Sequence, residues 1–131
     1  MIQSYYIKTG LDDRPYTPPT VVPVRMNDGK YSPEGLTTRG LNGCIALISR
    51  TKNGISHHGI MTHYTPTNTH RHIAKIEELL ASYADDLPEG DTKAVLLYPQ
   101  MGASVDELAR KVKKQFERLS HQEGIVSILR V

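Results

Sequence analysis

A chain of 131 residues suits one compact domain, with room for a hydrophobic core and too little length for two ordinary domains. Sixteen Lys and Arg against fourteen Asp and Glu leave a formal charge of +2 with no long basic run, which argues against nucleic-acid and membrane partners. No stretch approaches the roughly 18 apolar residues of a membrane span, the first residues lack the apolar core of a signal peptide, and the single cysteine suits a reducing compartment. The expectation is a soluble protein, cytoplasmic or exported without a conventional signal peptide.

Residues 1–35 read as an extended, Pro-rich entry segment, because Pro15, Pro18, Pro19, Pro23 and Pro33 exclude a regular helix. A short strand within Thr20 to Met26 is compatible with that. The folded core is expected over residues 36–131. Leu41 to Ser49 has the aliphatic and β-branched content of a strand, and a second strand runs from Ile55 to about Tyr64. Between them, Asn53-Gly54 is the strongest short-range hairpin signal, since both residues tolerate the positive φ of a type I′ turn.

Beyond Pro66, the residues Ile73, Ile76, Leu79, Leu80 and Tyr83 recur at helical spacing, with Thr67 or Thr69 as N-cap and Pro88 as stop. Ala94 to Tyr98 reads as a strand. Ser104-Val105-Asp106-Glu107 has the form of a capping box, opening a helix that presents Leu108, Val112, Phe116 and Leu119 on one face. After Gly124, Ile125 to Val131 reads as a last strand. The order hairpin, helix, strand, helix, strand predicts a single α/β (α+β) domain: a mixed β-sheet sandwich with a central antiparallel hairpin and two helices packed on the sheet.

Cys44 carries the chemistry of this reading. A lone thiol forms no internal disulfide, and Gly43 before it allows close approach of a substrate, so a nucleophile is one reading and a packed core thiol the other. A nucleophilic thiol needs a neighbouring base, and the sequence has six histidines: His57, His58, His63, His70, His72 and His121. With Asn53-Gly54 as the loop, Cys44 lies opposite His63, with Cβ atoms about 4.5–5.5 Å apart. His57 then falls roughly 20 Å along the strand from His63, and His58 projects from the other face. His63 ranks first as the base, with His58 and His57 behind it; a turn centred on Arg50-Thr51 reverses the order.

The run Leu41-Asn42-Gly43-Cys44 resembles the Leu-x-Gly-Cys motif of the cysteine-histidine glutamine deamidases, a group that includes the cytotoxic necrotizing factor catalytic domain, Burkholderia lethal factor and the chemotaxis receptor deamidase. Thr38 stands six positions before the cysteine, where that group carries a threonine. The resemblance covers residues 36 to 64. It implies a catalytic set of Cys44, His63 and Thr38, with backbone N–H groups near Gly43 and Cys44 holding an oxyanion. It implies a lowered thiol pKa, hydrolysis of a glutamine side chain through a thioester, no cofactor and no metal, and a partner protein that carries the target glutamine.

Rival features are weaker. The histidines of residues 57 to 72 do not reproduce a metal-binding spacing, and most of them are expected to be solvated. Lys111, Lys113, Lys114 and Arg118 read as a solvated helix surface, and Met101-Gly102 as a turn in preference to an anion-binding loop. The competing function class is a non-catalytic binding or regulatory domain in which Cys44 is packed; a third is another cysteine amide or thioester hydrolase.

Overall fold

The computed structural model describes residues 4–8, 21–41, 43–53, 56–82, 91–99 and 103–130. Within these residues, eight strands and two helices follow in the order β1 (Ser4–Lys8), β2 (Val22–Val24), β3 (Asp28–Ser32), β4 (Gly35–Arg39), β5 (Ala46–Asn53), β6 (Ser56–His63), α1 (Thr69–Ser82), β7 (Asp91–Tyr98), α2 (Ala103–Ser120) and β8 (Val126–Arg130). The strands form a five-stranded mixed sheet, β3-β6-β5-β7-β8, and a three-stranded sheet, β1-β4-β2. The domain is of the α+β class, with both helices packed on the larger sheet.

Residue alternation along the central strands explains the layering, because successive side chains point to opposite faces. Ile45, Leu47, Ala94, Leu96 and Tyr98 face the helices, where Ile76 of α1 and Val105, Ala109, Val112 and Phe116 of α2 complete the main core. Leu108 and Leu119 pack only partly buried at its margin. The other face is covered by the small sheet: Met61 of β6 packs with Val24 and Leu36, and Ala46 and Leu97 pack with Leu41 and Cys44. The parallel pairing of β7 with β8 through α2 is the crossover unit of the fold.

Several local expectations shift. The segment read as an entry contributes three strands, of which β3 is the edge of the large sheet beside β6. Asn53 is not a turn residue but the last residue of β5, paired with Ser56; the intervening positions 54 and 55 lie outside the described residues. Cross-strand partners therefore sum to 109, not 107, with Ile48 opposite Met61 and Ile45 bridged to Tyr64. Helix α1 is preceded by a short 3-10 turn, Pro66–Asn68, whose N-cap is Thr65; Thr69 is the first α-helical residue, and its hydroxyl donates to the Pro66 carbonyl at 2.7 Å. Helix α2 begins at Ala103, so Ser104 lies inside it and is not its cap. Tyr83, Pro88 and the Met101-Gly102 pair fall outside the described residues.

Candidate active site

The ends of five segments converge at one end of the space between the two sheets: β2 at Val24, β4 at Thr38, β6 at His63, the turn before β5 at Cys44, and β7 at Leu97. The turn explains the Leu-x-Gly-Cys spacing. The Cys44 N–H donates to the Leu41 carbonyl at 3.0 Å, closing a four-residue turn whose third residue, Gly43, has φ 78°. That value suits a type II turn and strains any residue with a Cβ. The Cys44 N–H, expected beside that of Gly43 as an oxyanion donor, is instead engaged within the turn, which leaves the Gly43 N–H of that pair.

The corrected register puts Ala46, not Cys44, directly opposite His63. A two-residue change in the pairing sum preserves the face, so the thiol stays on the His63 side of the sheet. There it packs against Ala46, at the roughly 7–8 Å diagonal spacing from His63 that such positions have. Ala46 is the smallest side chain that could face the imidazole while keeping a Cβ, and it leaves the ring room to lie between the sheets.

Thr38 and His63 are joined. The Thr38 hydroxyl donates its only proton to the Val24 carbonyl at 2.7 Å, so toward His63 Nδ1, at 2.8 Å, it accepts. The ring proton must then sit on Nδ1. His63 Nε2 keeps its lone pair, is buried, and has no hydrogen-bond partner among the described residues. With the residue only 2% exposed, an unpartnered ring nitrogen at this depth is a costly arrangement. It is also the form that a general base requires.

The backbone of His63 is held as firmly as its ring. Asn27, at φ 60° in the turn between β2 and β3, donates its N–H to the His63 carbonyl at 2.6 Å. Its side-chain oxygen accepts from the Thr65 N–H and from Asn68 Nδ2, both at 3.2 Å. Positive φ is tolerated at this position because asparagine is among the few non-glycine residues that visit it readily.

Burial sets the charge state of the pair. Desolvation pushes the Cys44 thiol up and the His63 imidazole down from their ordinary values. The expectation of a lowered thiol pKa is therefore reversed: Nε2 does not meet the sulfur in this form, so nothing offsets the desolvation of a thiolate. Burial therefore favours the neutral form of both the Cys44 thiol and the His63 imidazole.

The remaining histidines separate from this site. His58 lies opposite Thr51 on the other face of β6, where its ring stacks on Tyr31 at 5.7 Å and its Nδ1 is bonded to the Tyr31 hydroxyl. His57 pairs with Lys52 near the far end of the hairpin, and its side chain is not among those described. His70 and His121 are exposed. His72, expected in solvent, is 1% exposed in the core. Among the described residues no group of three or more His, Cys, Asp or Glu side chains converges as a metal site would, and no helix is long and apolar enough to cross a membrane.

Sequence reasoning missed Val24, Asn27, Ala46 and His72. Met26-Asn27-Asp28-Gly29 did carry a turn signal, obscured by its reading as part of an entry segment. Comparison of the chain with protein-family models, curated proteins and solved structures finds no match.

Proposed function

We propose that the protein is a cysteine-dependent glutamine deamidase, with Cys44 as nucleophile, His63 as base and Thr38 as the residue that orients the base. The observation that carries this reading is the protonation pattern Val24 carbonyl, Thr38 hydroxyl, His63 Nδ1–H, which leaves a buried, unpartnered Nε2 on the same side of the sheet as the only thiol. A structural histidine at this depth ordinarily satisfies both ring nitrogens.

The neutral forms that burial favours point to general-base attack, not to a preformed thiolate. As the amide carbon of a substrate glutamine approaches, the sulfur forms its bond to carbon while its proton passes to His63 Nε2. The carbonyl oxygen takes on negative charge, which the Gly43 N–H receives on this reading. The imidazolium returns its proton to the amide nitrogen, the C–N bond breaks, and ammonia leaves a thioester on Cys44. Water, deprotonated by the same Nε2, adds to that thioester; the C–S bond breaks, the thiol regains its proton and glutamate is released. Thiol, imidazole and water balance every step. The partner on this reading is a protein presenting an exposed glutamine, because a long unbranched side chain is what reaches a thiol set between two sheets.

One observation favours a second reading. Cys44 is 3% exposed among Leu41, Ala46 and Leu97, as a thiol that merely fills space would be. Deamidation separates the two. With a glutamine-containing protein as substrate, the wild type is expected to release ammonia and leave glutamate in place of a specific glutamine by peptide mass spectrometry. Cys44→Ser abolishes both. Ammonia release that is unchanged in Cys44→Ser, or a product whose glutamines are intact, overturns the deamidase reading.

A further inference from the structure

We propose that His72 is a positioning residue for His63, acting from the helix side of the sheet through the two residues that flank His63 in β6, Thr62 and Tyr64. The role as a positioning residue rests on His63 being the base; the contacts that define it do not.

Alternation along β6 turns Thr62 and Tyr64 away from the site and toward α1, and both meet the same ring. The Thr62 hydroxyl accepts the Leu47 N–H at 3.1 Å and is hydrogen-bonded to His72 Nε2 at 2.6 Å. Tyr64 stacks on the His72 ring with centroids 4.7 Å apart and planes 14° from parallel. One imidazole on α1 therefore fixes the residue before His63 and the residue after it. Asn27 fixes the His63 carbonyl from the other side. What remains for His63 is a single backbone course that aims its ring at Thr38.

A core position of this kind is more cheaply filled by leucine, since burying an imidazole is unfavourable unless its nitrogens are matched. The ring is also electrically quiet. Burial, and the positive charge His63 acquires when protonated, hold His72 down to about 3. It stays neutral while His63 cycles, so it fixes the geometry without placing a second charge behind the base. Misplacement by an ångström at a reacting group is enough to slow the chemistry severely, which gives such a brace its value.

The test reads His63 directly by nitrogen-15 imidazole NMR, following its tautomer and the solvent exchange of its Nδ1–H. The wild type is expected to show one Nδ1–H tautomer with a slowly exchanging proton. His72→Leu fills the space without the hydrogen bond; in it the His63 Nδ1–H exchanges about tenfold faster, the equivalent of one lost neutral hydrogen bond, and the Nε2–H tautomer appears. His72→Gln, which can still pair with Thr62, restores the wild-type signature. Thr62→Val and Thr62→Ser repeat the contrast should His72→Leu fail to fold. A folded His72→Leu or Thr62→Val protein with an unaltered His63 signature overturns the proposal. Because this readout needs no substrate, a wild type that never deamidates anything sinks the proposed function and leaves the brace standing.

Discussion

The two faces of the large sheet differ in how their buried polar side chains are matched: Thr51 and Thr92, and Thr62 and His72, are hydrogen-bonded to each other on the helix side. Toward the helices lies an aliphatic and aromatic core, in which Phe116, Val112, Leu47 and Leu96 are sealed. Toward the small sheet, the buried set includes Thr38, His63 and Cys44 beside Val24, Leu36 and Met61. Among the described residues, each face also has one buried imidazole. His72 on the helix side stacks on an aromatic ring and has its Nε2 bonded to Thr62; His63 on the other side has one nitrogen bonded and one left bare. If the proposed deamidase function holds, substitutions on the helix side should act mainly on stability and those at Thr38, His63 and Cys44 mainly on activity.

The largest separation is expected from His63→Gln. Removing the base lowers deamidation by about 100- to 10,000-fold, while thermal unfolding monitored by circular dichroism shifts little, because the bare buried nitrogen goes with it. Phe116→Ala should do the reverse. It opens a cavity in the helix-side core and costs about 3–5 kcal/mol in denaturant unfolding, with the rate per folded molecule preserved.

Acid provides the next contrast. His72 is held at about 3 in the fold against 6.5 when unfolded, so between those values the unfolded chain binds a proton that the native chain refuses. Stability from this group is complete above pH 6.5 and falls as the pH drops toward 3, by up to about 1.4 kcal/mol per unit. The lowered His63 acts in the same direction. Urea midpoints measured across this range should decline steeply in the wild type and less steeply in His72→Gln. Equal slopes would contradict the assignment.

Thr38→Val is the smallest and most diagnostic of the series. It leaves the Val24 carbonyl and His63 Nδ1 without their partner, a loss of about 1–3 kcal/mol, and it frees the ring to take either tautomer. Turnover should fall by more than that loss of stability explains at temperatures where the variant is fully folded.

How much of this was legible beforehand depended on the range of the interaction. The hairpin, both helices and the strand between them follow from local periodicity, and the motif spacing sets Thr38 and Cys44 apart. The hairpin register was not legible. Asn53-Gly54 is a sound local turn signal, yet the register formed is the one that pairs Asn53 with Ser56 and joins Ile45 to Tyr64, while the same strands also pair with β3 and β7. Those long-range partners leave no trace in a short window. The face of each residue survived because the pairing sum moved by two, an even step, so Cys44 and His63 kept a common side although they are not opposed. The burial of His72 and the clamp at Asn27 are long-range contacts of the same sort: one joins α1 to β6, and the other joins the β2–β3 turn to β6 and the chain that follows it.

The central claim is that the His63 Nε2 lone pair serves the Cys44 thiol. Its most direct measurement is the alkylation rate of Cys44 by iodoacetamide near neutral pH, a reagent whose primary amide has the shape of a glutamine side chain, in the wild type and in His63→Gln. The account predicts labelling at Cys44 that slows by about tenfold or more when the imidazole is removed. Equal rates in the two proteins, with both folded, would contradict it and leave Cys44 as a packed thiol.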